Sequence, residues 1–335
     1  MDQSINRQVV LASRPEGIPQ AEHFRLVTSP RPTRGPGQIL VQNLFLSVEP
    51  AMRGWVNAVG NYAKPVAIDE VMRSFALGRI IESDHPDCPV GAHVTGMFGW
   101  QDFAVVEPSA IDHLIHQTDL PLSAFLGVLG INGVTAHYGL MKIGEPQAGN
   151  TVVVSTGAGS VGSCVGQIAR IKGCRTVSIT GGETKRQLSL DRFGYDSAVD
   201  YKRDDFEAQL AQACPNGIDI YFDNTSGAIS DAVMHHLNVG ARIIICGTAS
   251  VANWNPPPLG PRVERHILVK RARMQGFVIL DHLDHYPVAR AELTAWLRQG
   301  LIHYEEELLD GIAQAPDAIA GLYRGDNLGK RLIRL

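Results

Sequence analysis

TVVVSTGAGSVGSCVGQIARIKG, residues 151–173, decides the fold. A β-branched run ends in a turn carrying Gly157, Gly159 and Gly162 in the spacing G-x-G-x-x-G, and a helical pattern follows at once. The first glycine permits the tight turn, the second lets backbone approach a pyrophosphate, and the third allows close helix–strand packing. Ala158, Ser160 and Val161 complete the turn and open the helix, where unpaired N–H groups receive an anion. Val161, Val165 and Ile168 recur at i, i+4 and i+7, so one face of that helix can bury against a sheet. A glycine-rich turn can also bind nothing; its place within a βαβ unit is what predicts a dinucleotide site here.

The same rhythm continues downstream. RTVSIT, AVDY, IDIYFDN and ARIIICG read as strands, separated by helices predicted near 185–193, 204–214 and 228–237. Strands without period-two polarity, alternating with helices, indicate α/β architecture: a doubly wound parallel sheet covered on both faces. The proline-rich stretch 251–266 interrupts it as an exposed loop, MQGFVIL resumes as a strand, and GDNLGKRLIRL reads as a turn plus a strand returning to the first domain. Upstream, residues 1 to about 120 are short β segments (QILVQNLFLSV, LGRIIES, HVTGMF, DFAVVE) broken by Pro and Gly clusters, a second and mostly β domain.

Composition narrows the function classes. The chain has 335 residues, 44% of them hydrophobic, enough for two domains. A formal charge of −4, with Lys and Arg interleaved among Asp and Glu, gives no one-sign field for nucleic acid or an anionic membrane. The first fifteen residues lack the features of a signal peptide, and no apolar run approaches the roughly 18 residues that span a bilayer, which predicts a cytoplasmic chain. Five widely spaced cysteines suit neither a disulfide framework nor a zinc cluster and read as small buried hydrophobes. The histidine pairs (His113 with His116, His235 with His236, His282 with His285) read as solvated side chains, so no metal is expected.

The coenzyme's identity rests on SITGGETKRQ, residues 178–187. An NAD enzyme places Asp or Glu about 20 residues beyond the glycines to accept the adenosine ribose 2′-OH. Here that count from Gly162 reaches Gly181 and Gly182, with Lys185 and Arg186 just beyond. Glycines leave room for a 2′-phosphate and the cations complement it, so NADP is expected. Glu183 dissents, being acidic and close enough for a different turn to aim it at the ribose.

EPAMRGW, GINGVTAHYG, the glycine run, GGETKRQ, DYK, YFDNTSG, ICGTAS, KRARMQGF and GDNLGK, in order from 49 to 330, resemble the medium-chain dehydrogenase/reductases. Within them the chain resembles the zinc-independent, NADP-dependent alkenal/one double-bond reductases. The resemblance implies a split GroES-like β catalytic domain, 1–128 and 301–335, around a Rossmann NADP-binding domain, 129–300, in a homodimer. It implies NADPH-dependent reduction of the C=C bond of α,β-unsaturated aldehydes and ketones. Lys185 and Tyr201 match residues holding the 2′-phosphate. Asn224 and Asn327 match residues at the pyrophosphate and nicotinamide side, and Thr135, Cys246 and Phe277 lie in segments lining the cofactor. On their own residue types, Tyr201 could cap a strand end, Asn224 and Asn327 could be turn residues, and Phe277 could be core.

Hydride delivery to an enone's β-carbon leaves an enolate that needs a hydrogen-bond donor. Relatives place tyrosines in a D-P-Y-M-R segment and just before a later K-R; this chain has Ala51 and Val269 there. Both changes enlarge an apolar pocket that Met52 and Arg53 also line. Tyr62, in VGNYAKP, is the candidate donor, against a ring that merely packs its loop. Trp55, Tyr138 and Trp254 could wall a cleft or be core. Two other functions fit the cradle: an NADPH:quinone-type oxidoreductase, and a non-catalytic NADPH-binding protein.

Overall fold

The computed structural model describes residues 4–117, 119–251, 256 and 258–335. Trp254 lies outside them. The N-terminal part begins with the antiparallel pair β1 (Ile5–Leu11) and β2 (Phe24–Pro30). Next come β3 (Ile39–Ser47), the single-turn α1 (Met52–Trp55), β4 (Ala76–Glu82), β5 (His93–Gly96), β6 (Phe103–Val106) and β7 (Ile111–Ile115). One edge of β3 pairs with β4, while the start of its other edge pairs with β6. Ile39, Leu40, Val41 and Leu46 of β3 are fully buried with Ala76, Leu77 and Ile80 of β4, so shared apolar cover fixes the register of this pair.

The central part opens with α2 (Ile131–Tyr138), which runs into a π-helical stretch over Gly139–Gly144. Then follow β8 (Thr151–Ser155), α3 (Ser160–Ile171), β9 (Arg175–Thr180), α4 (Glu183–Asp191), β10 (Ser197–Asp200), α5 (Phe206–Ala213), β11 (Ile218–Asp223), α6 (Ala228–Met234), β12 (Leu237–Ile245), α7 (Glu264–Lys270), β13 (Arg273–Gly276) and α8 (Tyr286–Arg298). The six strands form one parallel sheet, ordered β10-β9-β8-β11-β12-β13. Every residue of β8 is buried, as a strand covered on both faces requires. Beneath α3, Val165 and Ile168 are fully buried, whereas Val161 in its first turn is half-buried.

The structure departs from the sequence expectations at several places. The fourth helix begins at Glu183 rather than near 185. MQGFVIL ends as a strand at Gly276, where the register with β12 runs out at Ile245, so Phe277 lies beyond it. Four cysteines are buried, and Cys246 is half-buried.

The chain closes with β14 (Glu306–Asp310), α9 (Ala315–Arg324) and β15 (Lys330–Arg334). β15 pairs antiparallel with the end of β3, completing a seven-stranded sheet. Two compact units result: Met1–Leu126 with Glu306–Asn327 and Arg331–Leu335, and Gly127–Glu305 with Leu328–Lys330. The short 328–330 link belongs with the parallel-sheet unit because the Lys330 amide donates to the Glu305 carbonyl at 2.8 Å and Gly329 bridges to Gly159. Among the described residues no helix is long and apolar enough to cross a membrane.

Candidate functional site

In the parallel-sheet unit the glycines are needed for space. A Cβ on Gly157 would stand 2.2 Å from Ser178 Oγ, on Gly159 2.9 Å from Thr156 Cγ2, and on Gly162 2.2 Å from the Thr156 carbonyl oxygen. Gly157 and Gly162 therefore let the β8–α3 turn close against β9 and itself. Thr156 holds φ at +56°, a left-handed conformation that a β-branched residue rarely adopts, and the Gly159 amide donates to its carbonyl at 2.9 Å. Residue types alone did not mark Thr156. No side chain caps α3, so its first-turn amides are available to an anion, and the turn fits a pyrophosphate.

At the ends of β9 and β10 the structure brings together Gly181 and Tyr201, with Lys185 on the helix that follows. A Cβ on Gly181 would meet the Tyr201 ring at 2.9 Å, so this glycine admits the half-exposed phenol. Lys185 is half-buried on the first turn of α4. Glu183 is turned to Arg186, whose Nη2 and Nε donate to its two oxygens at 2.6 and 2.7 Å; this contact holds the Glu183 carboxyl below its usual range. Asp200, which the sequence did not single out, accepts from the amides of Gly182 and Lys202 at 2.9 and 3.0 Å. It pins the two turns together, with Gly182 at φ +85° serving as the N-cap of α4.

The strand ends of β8 and β11 are organised by Asp223, which is buried. Its carboxylate accepts from the hydroxyls of Tyr221 (3.1 Å), Ser155 (3.3 Å) and Ser230 (2.5 Å) and from the amides of Thr225 and Ser226 (2.9 and 2.8 Å). Asn224 is fixed by this frame: its amide donates to Ser155 Oγ at 2.8 Å and its Nδ2 to the Ser155 carbonyl at 2.7 Å, which leaves Oδ1 as an acceptor. The Cys246 amide donates to the Asp223 carbonyl at 2.8 Å. Burial and then Asp223 push the Cys246 thiol up to about 12, so it stays protonated. Thr135 spends its hydroxyl on the Ile131 carbonyl at 2.6 Å. The Phe277 ring lies 5.5 Å from that of Tyr138, which stacks on His282 at 4.1 Å. Behind them His137 bonds His285 at 2.9 Å and Glu292 at 2.8 Å. Val269 is more than half exposed on α7.

In the other unit, Ala51, Met52 and Arg53 form the start of α1. Met52 is fully buried and Ala51 half-buried. The Arg53 guanidinium is buried and donates to Asn57 Oδ1, and burial lowers its pKa while Tyr323 opposes that shift. No carboxylate pairs with it among the described residues. Tyr323, on α9, donates its hydroxyl to the Pro50 carbonyl at 2.7 Å and senses both Arg53 and Tyr62. Tyr62 itself is 54% exposed on its loop. Trp55 is buried core. Asn327 closes the segment after α9, half-buried. Among the described residues no group of three or more His, Cys, Asp or Glu side chains could hold a metal ion.

The parallel sheet, its glycine turn and the mostly β unit define a medium-chain dehydrogenase/reductase with a Rossmann-type nucleotide-binding sheet. Residues 7–114 match the family model described as the N-terminal domain of oxidoreductase, and residues 160–294 the one described as zinc-binding dehydrogenase. The chain is 43% identical to the NADPH-dependent curcumin reductase of Escherichia coli over 98% of its length and 97% of the relative's. It is 33% identical to the 2-alkenal reductase (NADP(+)-dependent) of Nicotiana tabacum, covering 98% and 97%. The crystal structure of CurA in complex with NADPH from Vibrio vulnificus superposes with a TM-score of 0.93 at 46% identity, covering 98% of each chain. The chain belongs to the NADP-dependent alkenal/one double-bond reductase family of the medium-chain dehydrogenase/reductases, and its cofactor is NADPH.

Proposed function

We propose that this NADP-dependent oxidoreductase reduces the C=C bond of α,β-unsaturated ketones and aldehydes. The observation that carries the coenzyme's placement is Gly181 against Tyr201, with Lys185 on the helix that follows, beyond a glycine turn whose Cβ positions are closed to any larger residue. Gly157, Ala158, Gly159, Ser160, Val161 and Gly162 would hold the pyrophosphate, Lys185 and Tyr201 the 2′-phosphate. Asn224, with a spare acceptor oxygen, suits a hydroxyl or amide donor of the coenzyme, and Thr135, Cys246, Phe277 and Asn327 line its remainder. Bound NADPH supplies a hydride to the substrate's β-carbon and leaves as NADP+. The π pair then moves to the carbonyl oxygen, and water protonates the α-carbon of the enolate. In the mostly β unit, Ala51, Met52 and Arg53 would shape the substrate's surroundings, with Tyr62 as the candidate donor; Val269 is the candidate for that role in the parallel-sheet unit. Relatives named for curcumin and 2-alkenals support a conjugated carbonyl as the substrate.

A homodimer in the cytoplasm completes the proposal. β13 is the outermost strand of its sheet and all four of its residues are exposed, while Leu268 and Met274 add exposed apolar surface beside Val269. An unpaired edge of this kind is suited to pairing with a second copy.

The test is consumption of NADPH with a panel of enones, enals and quinones at one coenzyme concentration, with products identified by mass. Saturated carbonyl products, two hydrogens heavier, are expected. Turnover of quinones without enones would favour the quinone reductase, and tight NADPH binding without turnover of any acceptor would favour a binding protein.

A further inference from the structure

We infer that Lys202 is a second cation for the coenzyme's 2′-phosphate and a determinant of the preference for NADPH over NADH. The inference rests on the placement of that phosphate beside Gly181 proposed above and adds a residue to it; every group involved belongs to the parallel-sheet unit. A strand points successive side chains to opposite faces, so Tyr201 and Lys202 could not both meet one glycine if β10 ran on. It stops at Asp200, whose Oδ1 accepts from the Lys202 amide two residues on at 3.0 Å and from the Gly182 amide at 2.9 Å. This aspartate-closed turn replaces the ladder and brings both side chains to the same place. A Cβ on Gly181 would stand 2.9 Å from Tyr201 Cε1 and 3.0 Å from Lys202 Cε. The Lys202 stem therefore crosses the glycine beside the phenol, and its ammonium nitrogen is one bond further.

The neighbouring guanidinium groups are already engaged. Arg186 is bonded to both oxygens of Glu183, and Arg203 Nε donates to Asp205 Oδ1 at 3.0 Å. Among the described residues no hydrogen bond or ion pair holds the Lys202 ammonium. A phosphate monoester carries a charge of about −1.5 to −2 at pH 7 and offers three acceptor oxygens. One lysine leaves part of that charge unmatched. An ammonium beside the phenol matches the remainder, with three N–H donors to direct at the phosphate oxygens. NADH has only a hydroxyl at that position, so the charge of Lys202 acts on one coenzyme and hardly on the other.

The experiment titrates NADPH and NADH by fluorescence into wild type, Lys202→Met and Arg203→Gln at one ionic strength. Methionine keeps an unbranched stem over Gly181 and removes the charge. Arg203→Gln removes an equal charge one residue further on, from a side chain that Asp205 already holds. Lys202→Met is expected to weaken NADPH by about 10-fold, the lower end for a charge-assisted bond because the side chain is exposed. NADH should change less than about twofold in Lys202→Met, and NADPH less than about threefold in Arg203→Gln. Equal losses of NADPH in the two variants would show a general field rather than a contact. Equal losses of the two coenzymes in Lys202→Met would show a stem that only packs the turn, and NADPH affinity within about twofold of wild type a lysine that is merely solvated. Each of these overturns the inference. If Lys185→Ala also leaves NADPH unaffected, the placement of the phosphate itself fails; a loss in Lys185→Ala without one in Lys202→Met sinks this inference alone.

Discussion

Replacing Lys185 with alanine tests the account of coenzyme choice. Arg186 cannot take over from Lys185, because its guanidinium is engaged by both oxygens of Glu183 at 2.6 and 2.7 Å. A charge-assisted hydrogen bond is worth about 1.5–3 kcal/mol, so Lys185→Ala should weaken NADPH by roughly 10- to 150-fold. NADH has no 2′-phosphate for the ammonium group to meet, and its affinity should change less than about threefold. Fluorescence titration of both reduced coenzymes into wild type and variant, at fixed ionic strength, gives the four constants needed. Because the contact lies toward the surface, added salt should weaken NADPH more than NADH in the wild type, and this difference should shrink in the variant. Equal weakening of the two coenzymes, or none, would refute the assignment of Lys185 to the phosphate and return the choice to the acids nearby.

Gly162→Ala puts a Cβ 2.2 Å from a backbone oxygen that cannot rotate away. It should cost about 1–3 kcal/mol in thermal unfolding and weaken NADPH, whereas Gly17→Ala, with nothing within 4 Å, should leave both unchanged. Burial, and next His137, lowers the pKa of His285 in the folded protein below its ordinary 6.5. Above that pH both states are neutral there; as the pH falls the unfolded chain takes the proton first, so stability is lost down through the folded value, by at most about 1.4 kcal/mol per pH unit for the one proton. Calorimetry between pH 7.5 and 5 should show this decline, shallower in His285→Gln; an identical slope in the variant would remove His285 as its source.

The parallel sheet was legible because two periodicities and a glycine spacing coincide within one stretch, and because β8 is buried throughout, its β-branched residues needing no alternation. Boundaries were less legible. The start of α4 moved to Glu183 because Gly182, at φ +85°, caps the helix, and Glu183 then bonds Arg186 across its first turn, a contact sequence periodicity does not reveal. MQGFVIL has strand-like composition to its end, yet a parallel strand lasts only as long as its neighbour, and β12 stops at Ile245. Tyr323 was invisible for a different reason: its partner Pro50 is 273 residues away, and nothing in AGLYRGDN distinguishes that ring from an exposed helix residue. The pairing of His137 with His285, across 148 residues, was hidden in the same way; the sequence had set His285 beside His282 as a solvated residue, but it is buried.

The acids near the adenosine end show why a rule based on residue type needs geometry to complete it. The sequence treated Glu183 as the one dissenter from NADP, but a carboxylate selects a ribose 2′-OH only if it has an oxygen free to accept from it. Both oxygens of Glu183 are taken by Arg186, and that pairing leaves the local charge near zero. Asp200 is the second acid, and its Oδ1 is occupied by two backbone amides, where it joins the turn that carries Lys185 to the turn that carries Tyr201. The carboxylate thus builds the site more than it reads the ligand: it sets the spacing of the ammonium and the phenol while its charge is partly offset by the amide dipoles it accepts. Selectivity for the 2′-phosphate then follows from which acids are already bonded, rather than from a count of acidic and basic residues in the loop.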